Sequence, residues 1–177
     1  MPSRALRYTS GMITKEQLAQ SMARECDIIV HLFSKMSPEA YDYQPSPEQR
    51  TTLALLRYLA VCASAGIHCM VNSDFKRFGG YTDRVKEMPA SEFPAAMARQ
   101  KQEILDFFAS VSEETLRTQE APVPGGAVMP LGAAILNGPA KWLTAYKMQL
   151  FLYAKASGAP ELKTANLWRG TDPTPAV

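Results

Sequence analysis

Apolar residues recur along this chain at three- and four-residue spacing in four long runs, and no stretch shows a convincing strand alternation. The first run is Leu18, Met22, Cys26, Ile29, Val30 and Phe33. It follows Thr14-Lys-Glu-Gln17, which has the form of a capping box: the threonine hydroxyl accepts from the amide at Gln17 while the glutamine reaches back. The helix should stop near Met36, because Ser37-Pro38 reads as a new cap with proline at the first helical position. The second run, Leu55, Tyr58, Leu59, Cys62, Ala65 and Cys69, predicts one uninterrupted helix, and Gly79-Gly80 ends a loop beyond it. The third, Met97, Ile104, Leu105, Phe108 and Val111, is expected to be capped by Ser91, with Lys101 burying only its stem. The fourth begins near Pro139 and closes at Gly158, a glycine placed to follow a helix C-terminus.

Between the third and fourth runs, residues 121–137 carry Pro122, Pro124, Gly125 and Gly126 and read as a long irregular crossing. Main helices at 12–36, 51–71, 91–116 and 139–158 therefore predict an all-α fold. It is a four-helix bundle with a long crossover between helices three and four, forming one domain over 1–177. Ligands of such bundles sit in the core between facing helices. Leu162, Leu167 and Trp168 in the Pro- and Thr-rich tail are placed to dock onto the bundle.

Composition narrows the function classes. The 177 residues are 46% hydrophobic and 20% charged, enough apolar mass for one core. A formal charge of +2 with no block of Lys or Arg argues against a nucleic-acid partner. No segment has the length of uninterrupted apolar residues that a membrane span requires, and the N-terminus does not resemble a signal peptide. Three cysteines without a CxxC pair argue against a disulfide framework or a structural zinc site, so a reducing cytoplasm is the expected compartment.

Candidate chemistry is sparse. Tyr58, Cys62 and Cys69 share one inward stripe, open to readings as core, as soft-metal ligands or as a reactive thiol, while His68 is turned away from it. Asp27 and His31 stand one turn apart, a spacing that can orient an imidazole. Two histidines in the whole chain exclude a His-rich site by number. No GxSxG, P-loop or GxGxxG motif occurs. On the fourth helix, Trp142, Tyr146, Gln149 and Tyr153 fall within ~60° of one another at ~100° per residue, so they should share one inward face.

Two stretches carry a family resemblance. Asp42-Tyr-Gln-Pro-Ser-Pro-Glu-Gln-Arg50-Thr51, followed by the apolar run to Ala60, is similar to a proline-containing connector, cap and second helix. From Trp142 to Gly158 the chain is similar to a helix-four pattern of His, three residues, His-Arg-Gly-Gln-Leu, then Tyr-Leu-Arg and a closing glycine. Gln149, Leu150, Tyr153, Lys155 and Gly158 match or nearly match it, and Leu167-Trp168 resembles the C-terminal docking residues. The chain thus resembles the DinB/YfiT-like superfamily of four-helix bundles. Members with the full pattern hold a divalent metal, often nickel or zinc, on one histidine of helix two and two of helix four. Some of them carry out thiol-dependent transfer or isomerisation.

The matching positions here are Tyr58, Trp142 and Tyr146. A phenol is a weak ligand and an indole offers only an N–H, so the resemblance implies the fold without the metal, and no cofactor is expected. The expectation is a plug: three rings filling the former site, with the Tyr58 and Tyr146 hydroxyls and the Gln149 amide bonded to one another. One alternative is a small-molecule pocket lined by Tyr58, Cys62, Trp142, Tyr146 and Gln149. Another is an enzyme using thiol chemistry at Cys62 or Cys69, or a displaced metal on Asp27 and His31. The resemblance also implies a homodimer.

Overall fold

The computed structural model describes residues 13–173, and the expected start of the first helix at residue 12 lies outside them. Helix α1 spans Lys15–Phe33, and the expected capping box is present. The Thr14 hydroxyl accepts from the Gln17 amide at 3.2 Å, and the Gln17 side chain accepts from the Thr14 amide at 3.0 Å. A 3-10 turn at Pro38–Asp42 leads into the connector. The Thr52 amide donates to the Tyr43 carbonyl at 2.9 Å, tying that connector to the start of the second helix.

The second helix is not continuous. It divides into α2 (Thr52–Leu59) and α3 (Cys62–Val71), bent by 43°. An unbroken helix would pair the Ala63 amide with the Leu59 carbonyl. Here the buried Gln100 side chain stands between them: its nitrogen donates to the Leu59 carbonyl at 2.7 Å, and its oxygen accepts from the Ala63 amide at 2.8 Å. Ser64 donates to the same oxygen at 3.4 Å. An inserted side chain is one of the few causes of a sharp kink, and this one satisfies both groups that it separates.

After α3 the chain makes a 3-10 turn at Phe75–Arg77 and a short helix α4 (Phe78–Arg84), so Gly79 and Gly80 are helical instead of ending a loop. The third long helix is α5 (Phe93–Ser110). Its cap is Glu92, after a 3-10 turn at Ala90–Glu92, and not Ser91. Ser112 then caps a separate α6 (Glu113–Thr118), splitting the expected single run. The supposed irregular crossing holds a small antiparallel hairpin, β1 (Glu120–Pro122) with β2 (Val128–Pro130), turning at Gly125 and Gly126, which both have positive φ. No strand was expected there, because segments this short carry no legible alternation.

The fourth helix starts earlier than its proline suggested. Helix α7 (Leu131–Ile135) runs through a π turn at Leu136–Ala140 into α8 (Lys141–Ala156). Pro139 lies in that wider turn, which accommodates a residue lacking an N–H inside a helix. Gly158, at φ +132°, follows α8 as expected. Helix α9 (Thr164–Arg169) docks the tail, burying Leu162 and Leu167 while Trp168 stays half exposed. Four long units, α1, α2–α3, α5 and α7–α8, enclose the core, making an all-α bundle. Among the described residues no single helix is long and apolar enough to cross a membrane. The α2–α3 pair passes on length and composition together, but its apolar positions form the bundle core.

Replacing Gln100 by leucine should strand a buried carbonyl and a buried amide, at about 1–3 kcal/mol each. Urea unfolding of Gln100→Leu is expected to show a loss of about 2–4 kcal/mol. A near-neutral result would mean that the helix closes its own hydrogen bond across the break.

Candidate functional site

The Thr51 hydroxyl accepts from the Ala54 amide at 3.2 Å and so sets where α2 begins, placing Tyr58 on its last turn. There Tyr58 meets Tyr146 of α8 edge to face, ring centres 4.8 Å apart at 66°. Phe78 of α4 joins them, 6.1 Å from Tyr58 and 6.2 Å from Trp142, the latter edge-on at 80°. All four rings are half-buried. The Arg50 guanidinium lies 4.2 Å over the Tyr58 ring and 5.4 Å from that of Tyr146. Burial pushes the Tyr58 phenol well above its ordinary value, the nearby Cys62 and Tyr146 add to the rise, and Arg50 opposes it.

Trp142 is seated by glycine. A β-carbon on Gly66 of α3 would come within 2.4 Å of the indole and 2.9 Å of Pro139. The indole thus lies directly on the α3 backbone. Gly66→Ala should lower the melting temperature, because overpacking of about 1–3 kcal/mol exceeds the ~1 kcal/mol that alanine gains in a helix. In a Trp142→Ala background the same change should instead stabilise, and thermal unfolding of the four proteins distinguishes this from a general intolerance at Gly66.

The five pocket candidates do not all converge. Tyr58, Trp142 and Tyr146 belong to one cluster. Gln149 does not hydrogen-bond to Tyr58 or Tyr146; its amide donates to the Tyr153 hydroxyl at 2.6 Å, and Tyr153 packs edge-on against Tyr43. The helical spacing of the stripe is right, but its partners differ because Tyr43 of the connector covers that end of α8. Cys62 lies beyond the helix break, fully buried, its thiol pointing to the Leu59 carbonyl. Burial pushes the Cys62 thiol well above its ordinary value, and pushes Cys26 up to about 12. Cys69 is shifted in the same direction for the same reason. These are neutral thiols at physiological pH.

Asp27 and His31 do not pair. Asp27 takes the Lys101 ammonium at 2.8 and 2.7 Å, across from α5. His31 faces α9, where the Asn166 amide donates to its Nε2 at 3.1 Å and also to Asp172 at 3.0 Å, while Lys35 pairs with Asp172 at 2.7 Å. Among the described residues no group of three His, Cys, Asp or Glu side chains could hold a metal ion. Burial and then Lys35 hold the His31 imidazole below its ordinary value, and Asp172 partly offsets them. The fold therefore favours neutral His31, whose stabilisation is complete above about pH 6.5 and is lost as pH falls below it, the unfolded chain protonating first. Across this window the stability of the wild type should fall more steeply than that of His31→Gln, as measured by thermal unfolding at a series of pH values.

Two charged residues escaped sequence reading. Lys147 is fully buried on the inner line of α8 with Leu143 and Leu150, and its ammonium lies 2.7 Å from the Glu25 carboxylate of α1. The pair is a contact of charges, without a well-directed hydrogen bond, and Trp168 covers the ammonium at 4.7 Å. Arg50 precedes a helix cap and Phe78 a glycine pair, places that carry no local signal of a site. The signal for Lys147 was its position, one turn from both Leu143 and Leu150.

No family model and no curated protein matches this sequence. Its structure does find a counterpart: a DinB-like protein, YjoA, from Bacillus subtilis, at a TM-score of 0.65 and 15% identity over 83% of this chain and 96% of that one. The fold is DinB-like. Between α2 and α8 of this bundle, Tyr58 meets Tyr146 directly and reaches Trp142 through Phe78.

Proposed function

We propose that this chain is a DinB-like bundle without a divalent metal centre, in which aromatic rings fill the space between α2 and α8. The observation that carries the reading is Arg50, whose permanent charge lies 4.2 Å over the Tyr58 ring. A divalent cation brought to this cluster would face that charge at close range. It would also find two phenols, that of Tyr58 held protonated by its burial, and an indole with no lone pair to give. This donor set does not fit nickel or zinc. The close seating of Trp142 on Gly66 supports the same reading, since the indole occupies its place as a packing element.

Protein made without a histidine tag and equilibrated with nickel or zinc is expected to retain neither by elemental analysis, with an unchanged melting temperature. One tightly held ion per chain would overturn the proposal.

A second reading, that the cluster is a small-molecule site, is favoured by the exposure of its rings. Tyr58, Phe78, Trp142 and Tyr146 are half-buried, and aromatic faces beside a few polar groups are what ligand sites present. Thiol chemistry has less support, because burial holds Cys62 and Cys69 in the protonated form.

A further inference from the structure

The ring cluster differs from an ordinary apolar patch in the sign of its polar groups. Arg50 brings five N–H donors, Trp142 one more, and Tyr58 and Tyr146 a hydroxyl each. Among the described residues neither a carboxylate nor a hydrogen-bond acceptor pairs with Arg50, although the other close cation–carboxylate pairs found there engage Lys35, Arg77, Lys101, Arg117 and Lys147. A guanidinium whose face is taken by a ring still has its N–H edge free, and that edge matches a carboxylate in a two-point fork. We propose that this cluster binds a planar, carboxylate-bearing small molecule, with Arg50 taking the carboxylate and the ring faces of Tyr58, Tyr146 and Phe78 taking the planar body. The inference rests on the second reading above, that the cluster is a ligand site, and adds the chemical class of the ligand.

Three features favour this class over a neutral or cationic one. Arg50 lies over two of the rings at once, so a ligand stacked beside them has the charge within reach. Tyr58 stays protonated because it is buried, so its hydroxyl remains a donor and contributes no negative charge. The one nearby thiol, Cys62, is likewise neutral. Arg50 is thus the charged group that lies over these rings, and it attracts an anion and repels a cation.

The test uses the full chain and three probes of equal size: benzoate, benzyl alcohol and benzylamine. The indole N–H signals of Trp142 and Trp168 are followed by NMR, Trp168 serving as an internal control because it lies on α9, over Lys147 of α8. Benzoate is expected to shift Trp142 and not Trp168, at about tenfold lower concentration than benzyl alcohol, the margin of one charge-assisted hydrogen bond. Arg50→Gln should bring benzoate down to the level of the alcohol in a protein that still unfolds cooperatively, since Arg50 lies outside the core. Arg50→Lys, which keeps the charge and loses the fork, should fall between the two. Equal binding of benzoate and benzyl alcohol, or a preference for benzylamine, would overturn the anion inference while leaving the ligand-site reading standing. No shift at Trp142 with any probe would overturn both.

Discussion

One side-chain amide holds the second long helix in its bent form. Gln100 replaces the hydrogen bond that Leu59 and Ala63 would make across a regular turn, so the helix divides without stranding a buried polar group. Tyr58 lies before that break and Gly66 beyond it. From Tyr58 to Gly66 an unbroken helix would rise about 12 Å, twice the roughly 6 Å between Tyr146 and Trp142 on the facing helix. The structure nevertheless brings Tyr58 to Tyr146 and Gly66 to Trp142. Phe78 of α4 stands between the two contacts, 6.1 Å from Tyr58 and 6.2 Å from Trp142.

What holds α2, α3 and α8 together here is aromatic contact and a glycine seat, interactions indifferent to whether an ion is present. Arg50 adds charge to that packing. A guanidinium over two rings gives this end of the bundle a positive character that the residue spacing alone would not reveal.

What could be read from the sequence was local. The Thr14–Gln17 capping box, the glycine after α8 and the apolar periodicity of the long helices each depend on residues within a turn or two of one another, and each is found in the structure. The facing of Tyr58 and Tyr146 follows from helical spacing, whereas Trp142 joins them through Phe78, a residue that no local pattern marked. The rest depends on distant partners. Gln100, beside Arg99 and Lys101, looks like a surface residue until its place opposite residues 59–64 is known. The Asp27–His31 pairing failed because Lys101, 74 positions from Asp27, is the stronger partner. Gln149 bonds to Tyr153 one turn on, and it is the Tyr153 ring that has a distant partner, Tyr43 of the connector. Pro139 looked like a helix start, yet a π turn carries the helix through it.

Lys147 has a consequence for how the helices are phased. A fully apolar inner line would let α8 rotate or slide by small amounts, trading one hydrocarbon contact for another at little cost. A buried ammonium removes that freedom, because in any other orientation it would face hydrocarbon with its charge uncompensated. The Glu25–Lys147 contact therefore acts less as glue than as a key that fits in one rotation. It sets the angle at which α8 presents Trp142 and Tyr146 to the helix opposite.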